Sequence, residues 1–208
     1  MTRLRDLIVL VADADIAAML ACVLRRHAAL GIREIRFEMR RHENRDNGCF
    51  RTPDEPLRGE IDTSERAMVV FDHCGSGQEH RTRSEVELEV EERLARNGWV
   101  DRSAAIAIAP EVESWLWNTS RHLEELLRWP PATTELPLSE WIEQRGLRSP
   151  GTSKPADPKA ALDAVLRACR LPRTTQIYEH VAERASVTRC QDPAFAKLRE
   201  TLRRWFPA

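Results

Sequence analysis

The chain has 208 residues, a formal net charge of -1, and 42% hydrophobic against 31% charged residues. That length suits one domain or a domain with an appendage, and the apolar share is enough to bury a core. The near-neutral balance argues against a protein that wraps polyanions, which would carry a large basic excess.

Residues Leu7 to Val11 read LIVLV, a short β-branched run expected of a strand buried on both faces. Asp13 and Asp15 end it, with Asp15 as the expected N-cap of a helix whose face carries Ile16, Met19, Leu20, Val23 and Leu24. Gly31 stops that helix, and IREIRFEMR alternates through Ile32, Ile35 and Phe37 as a half-exposed edge strand. Residues 42–64 are rich in turn formers without periodicity and read as a long surface loop. AMVVFDHC predicts a second buried strand ending at Asp72, followed by the glycine loop GSGQEHRTR. The next helix is expected to start at Ser84, with Glu87 as capping-box partner and Gly98 as its stop. A third buried strand, Ala104 to Ala109, leads through Pro110 into a helix beginning near Glu111.

After Trp129 the character changes. Pro-rich connectors flank the short helix LSEWIEQRGL. Three helices then close the chain: PKAALDAVLRAC, with Pro158 in its first turn; TTQIYEHVAERA; and DPAFAKLRETLRRWF, with Asp192 as N-cap. The expected fold class is therefore α/β: a mainly parallel sheet with helices on both faces over residues 1–128, and a helical C-terminal extension over residues 129–208 packed on it. The six tryptophans read as packing glue near the junction of the two parts.

Five cysteines at wide spacings, Cys22, Cys49, Cys74, Cys169 and Cys190, form no C-x-x-C pair and fit reduced thiols of a cytoplasmic protein. The N-terminal apolar run is too short for a signal peptide or a membrane span, so no membrane association is expected. His27, His42, His122 and His180 share no metal-ligand spacing.

The chemistry concentrates at the strand ends. In parallel sheets ligands sit outside the carboxyl ends of the strands, and each of the three buried strands ends in acids: Asp13 and Asp15, Asp72, and Glu111 and Glu113. Carboxylates gathered there repel unless a cation joins them, and Mg²⁺ is the usual one. The competing reading makes these residues helix caps and first-turn acids, a role that suits Asp15 and Glu111 better than Asp72. Gly75, Ser76 and Gly77 suggest a phosphate-cradling loop, though without the lysine of a P-loop. A nucleophile, Cys74 or Ser76 with His73 or His80, is the less favoured reading of the same loop.

The order of strands and acids resembles a TOPRIM-like domain, the fold of topoisomerases, primases and related nucleases. In that family a glutamate follows the first strand, an Asp-x-Asp motif follows a later one, and Mg²⁺ binds between them. VVFDHCGSG looks like the Asp-x-Asp region, with Asp72 matching the first aspartate and Cys74 standing at the second. LVADAD stands at the first strand, with Ala12 at the glutamate position. The segments FDHCGSGQE, IAPEVESWLW, SKPADPKAALDAVLR and the terminal WFP are similar to a family of small bacterial proteins encoded with methylation-associated phage-defence systems. That resemblance implies a component of a multi-protein antiviral system, with other proteins of the system as partners and DNA or RNA as a further candidate. Two functions follow: a TOPRIM-like binding and assembly module without catalysis, and a Mg²⁺-dependent nuclease or phosphodiester hydrolase using the acidic strand ends. A third, weaker idea is a small-nucleotide sensor using the GSG loop and nearby arginines for phosphate.

Overall fold

The structure is a computed structural model and describes residues 4–117, 120–148 and 154–208. The four strands β1 (Arg5–Val11), β2 (Phe37–Arg41), β3 (Ser64–Asp72) and β4 (Ser103–Ile108) form one all-parallel sheet in the order β2-β1-β3-β4. The apolar runs supply the centre of the sheet: Leu7 to Val11, Val69 to Phe71 and Ala105 to Ile108 are fully buried. β2 is half-exposed and carries Glu38, Arg40 and Arg41 at the edge, as its alternating pattern predicts. It starts at Phe37, however. The Ile32 segment ahead of it instead makes a lone antiparallel bridge to Pro207 at the C-terminus.

The chain leaves β1 through α1 (Ala14–Arg25) and the short α2 (His27–Leu30), and moves outward to β2. It then returns past β1 to β3 through α3 (Arg45–Arg51) and α4 (Asp54–Leu57), and reaches β4 through α5 (Arg83–Leu94). α1 packs on β1 and β2, while α3 packs on β1 and β3 and meets α5, which covers β4; right-handed crossovers, the rule for parallel strands, assign α1 and the α3–α5 group to opposite faces. The chain direction thus reverses between β1 and β3, and the crevice outside their carboxyl ends is where such sheets bind ligands.

The expected surface loop at residues 42–64 is corrected: it holds α3, α4 and a 3-10 turn, with Gly48, Cys49, Phe50 and Leu57 buried. These elements are too short to show a helical period, so composition alone made them look like a loop. A tight turn starts them: His42 is buried, with Nδ1 accepting from the Asn44 amide at 3.1 Å and Nε2 3.1 Å from Thr52 Oγ1. A Cβ at Gly48 would fall 2.1 Å from His42 Nδ1, so only glycine fits there.

Two helix starts also differ from expectation. Asp13, not Asp15, caps α1, its Oδ1 accepting from the amides of Asp15 and Ile16. Thr82, not Ser84, caps α5, in a capping box with Glu85. Glu87 lies inside the helix, where its Oε1 accepts the Ala107 amide of β4 at 2.9 Å, and Glu91 takes the Ala105 amide in the same way. Lys197 bridges both glutamates, so side chains close the outer edge of β4.

Beyond β4 come α6 (Glu113–Trp117), α7 (Ser120–Leu127), α8 (Leu138–Gln144), α9 (Pro158–Cys169), α10 (Thr175–Arg184) and α11 (Pro193–Trp205). The last three match their expected spans, including the Asp192 cap and the Pro158 first turn. Part of the connector after α8 lies outside the described residues. α10 packs along α1, α9 against α6, and α11 beside β4. Trp99, Trp115, Trp117, Trp141 and Trp205 are buried, and Trp115 meets Phe195 edge-on at 5.2 Å. Among the described residues no helix is long and apolar enough to cross a membrane.

Candidate metal centre

Asp72 is the last residue of β3 and pairs in register with Ile108 of β4. Its amide donates to Asp46 Oδ1 at 2.8 Å, and its own Oδ1 accepts the Val112 amide at 2.8 Å. That second bond ties β3 to the turn between β4 and α6, which carries Glu111 and leads directly into Glu113, the first residue of α6. The result is a triad: one carboxylate oxygen from each of Asp72, Glu111 and Glu113 lies within 4.8 Å of the others. Asp72 is 5% and Glu113 1% exposed, and Glu111 is largely buried.

The triad does not stand alone. Burial first, and then the charges of Asp46, Glu113, Asp13 and Glu111, push the Asp72 carboxyl well above the usual carboxylate range. Burial and Asp13 likewise raise Asp46, against the Asp72 amide that lowers it. Carboxylates beyond the ends of the other three strands therefore act on one group, Asp72 at the end of β3.

Cations of the chain line one side. Lys159 Nζ, in the first turn of α9, lies 3.0 Å from Glu111 Oε1. Arg173, between α9 and α10, bonds Glu113 Oε1 and approaches Asp15 at 3.6 Å. The Tyr178 hydroxyl, fully buried, donates to the same Glu113 oxygen at 2.7 Å. Glu113 Oε2 is buried without a hydrogen-bond partner among the described residues. A buried carboxylate oxygen left unpaired costs free energy, and here it belongs to the triad itself. Three converging carboxylates, one with an orphaned oxygen, make a donor set that fits a hard divalent cation.

Of the residues read from the sequence, the structure brings together Asp72, Glu111 and Glu113. Asp13 and Asp15 lie close enough to act through their charge but outside the triad: Asp13 is committed to capping α1, and Asp15 faces Arg173. Burial and the Asp13 charge raise the Asp15 carboxyl, with Arg173 opposing. Asp46 was missed, along with Arg173, Lys159 and Tyr178. The sequence signal for Asp46 is slight: an acid two residues before a glycine and three before a cysteine in an unpatterned stretch.

The glycine loop is arranged otherwise than expected. The Gly75 and Gly77 amides both donate to Glu79 Oε1, at 2.8 and 3.1 Å, so the anion held there is the chain's own carboxylate. Ser76 is fully buried and its hydroxyl donates to the His73 carbonyl. His73 Nε2 lies 3.0 Å from the Arg81 carbonyl, and Cys74 is exposed. No nucleophile–base pair forms in this loop.

Comparison with protein-family models, with curated proteins and with solved structures gave no match to this chain.

Proposed function

We propose that this chain is a divalent-cation-binding, TOPRIM-like component of a bacterial phage-defence system, acting on phosphodiesters of DNA or RNA in the cytoplasm. The observation that carries the reading is the convergence of Asp72, Glu111 and Glu113 at the carboxyl ends of β3 and β4, together with the buried Glu113 oxygen that has no hydrogen-bond partner among the described residues. Three protein oxygens leave room for the waters that Mg²⁺ or Mn²⁺ keeps when it meets a phosphate. A cation bound there would supply Lewis-acid stabilisation of charge on a phosphate and a more acidic water. The chain's own residues hold and orient the ligands.

A second reading, an assembly module without catalysis, is favoured by one observation. Lys159 and Arg173 already sit on Glu111 and Glu113 and neutralise part of the cluster. Ala12 and Cys74, at the positions where the resembled family carries acids, point the same way. In that reading the other proteins of the defence system are the partners.

Calorimetry separates the readings. Wild type titrated with Mg²⁺ and Mn²⁺ is expected to bind, and Asp72→Ala to lose the heat. Equal heats in the two proteins remove Asp72 as a ligand. Cleavage of single- and double-stranded DNA and RNA by the Mn²⁺-loaded protein, absent in Asp72→Ala, supports the catalytic reading; binding without cleavage supports the assembly module.

A further inference from the structure

The three triad carboxylates share a pattern. In each, one oxygen is held by a donor of the chain. Asp72 Oδ1 takes the Val112 amide, Glu111 Oε1 takes Lys159, and Glu113 Oε1 takes Tyr178 and Arg173. In each, the other oxygen has no hydrogen bond from a described residue, and for Glu113 that oxygen is also buried. A carboxylate that binds an ion through one oxygen is usually oriented by a hydrogen bond to the other. Two of the three orienting sets come from the C-terminal helices, which contribute no member of the triad.

Tyr178 is placed for orientation rather than for charge. It is fully buried on α10, and its hydroxyl accepts from Arg173 Nη2 at 2.6 Å while donating to Glu113. Arg173 in turn is fixed by Asp163 at 3.4 Å and by Asp15. The chain Asp163–Arg173–Tyr178–Glu113 runs from α9, across the α9–α10 connection and the first turn of α10, into the site.

We infer that Tyr178, Arg173 and Lys159 are positioning residues: they fix Glu113 and Glu111 so that their free oxygens face a divalent cation, and the C-terminal helices thereby complete a centre whose ligands all lie before residue 114. This rests on the cation reading above. The opposite role, that Lys159 and Arg173 compete with the ion for the carboxylates, makes the opposite prediction.

The test is Mn²⁺ binding followed by electron paramagnetic resonance of the free ion, on the full chain, with the spectrum of the bound ion as a second readout. Tyr178→Phe removes one hydrogen bond and no charge, and is expected to weaken Mn²⁺ binding by roughly 10-fold and to broaden the bound-ion spectrum. Arg173→Lys keeps the charge, loses the planar fork, and is expected to weaken binding in the same sense. Unfolding midpoints in EDTA check that both variants fold. Tyr178→Phe binding as tightly as wild type, or Arg173→Lys binding more tightly, overturns the positioning role. Wild type that binds no Mn²⁺ overturns the cation reading itself, so the two failures are distinct.

Discussion

At Asp72, burial and four neighbouring carboxylates push in one direction, toward the protonated acid. The folded carboxyl therefore titrates above the unfolded one. For an acid this means that folding is penalised at pH values above the folded pKa and relieved as pH falls through it. Asparagine at this position keeps an oxygen for the Val112 amide and removes the charge. Asp72→Asn is expected to raise the unfolding midpoint in EDTA at pH 7 by about 2–4 °C, and to abolish any rise on adding Mn²⁺. Thermal scans with and without Mn²⁺ check this. A lower midpoint in EDTA would show that the carboxylate, not its neutral form, is what this site stabilises. Such a trade of stability for a charged site is what a built binding centre displays, and a set of unrelated helix caps would not show it.

Among the elements, α11 depends on a single side chain. Asp192 caps the helix through the Ala194 and Phe195 amides, accepts the Trp115 indole at 3.0 Å and pairs with Lys154 at 2.9 Å. Burial raises its carboxyl, but the Lys154 hydrogen bond and charge and the Trp115 donor outweigh that and hold it below the usual carboxylate range. Its stabilisation is therefore present above the unfolded aspartate value and lost as pH falls through the folded one. Asp192→Ala is expected to cost roughly 2–4 kcal/mol at pH 7 by urea unfolding, from the lost cap and the stranded indole. The gap between wild type and Asp192→Asn is expected to stay constant from pH 7 down to about pH 4 and to shrink as pH falls further. A pH-independent gap would assign the effect to packing alone. This element was legible because Asp-Pro followed by an amphipathic run admits one start. α5 was less so. Thr82 and Ser84 are each followed three residues later by a glutamate, and local chemistry cannot choose between them. The sheet edge decides: Glu87 and Glu91 are needed for the Ala107 and Ala105 amides, which leaves Thr82 with Glu85 as the cap.

Across the whole molecule, the apolar runs of β1, β3 and β4 announced a parallel sheet. Strand order, and hence which acids meet, depends on long-range crossings that no local pattern carries. Asp46 joins the cluster only because the chain, turning on His42 and Gly48, sends α3 back past β1. Arg173 and Tyr178 join it only because α10 lies along α1.

The same crossings bear on where the chain can be cut. Arg26 of the first helical layer donates to the carbonyls of Ala182 and Ala185, at 2.5 and 2.7 Å, and Arg33 takes the Phe206 carbonyl through its amide. Ile177, Val181 and Ala182 are buried on α10, as are Phe195, Leu198 and Leu202 on α11. Removing residues 129–208 would expose the outward side of α1, including Met19 and Val23, and strip Lys197 from the β4 edge. Apolar surface of that extent, exposed together with an open strand edge, outweighs the marginal stability of a domain this size. A fragment ending at residue 128 is therefore expected to lack a cooperative urea transition, to lose the near-ultraviolet circular dichroism of its tryptophans and to bind Mn²⁺ no better than the unfolded chain. A fragment that unfolds cooperatively and binds Mn²⁺ like wild type would show that the strand-end carboxylates hold their arrangement without the C-terminal helices, and that the sheet and its site form an independent unit.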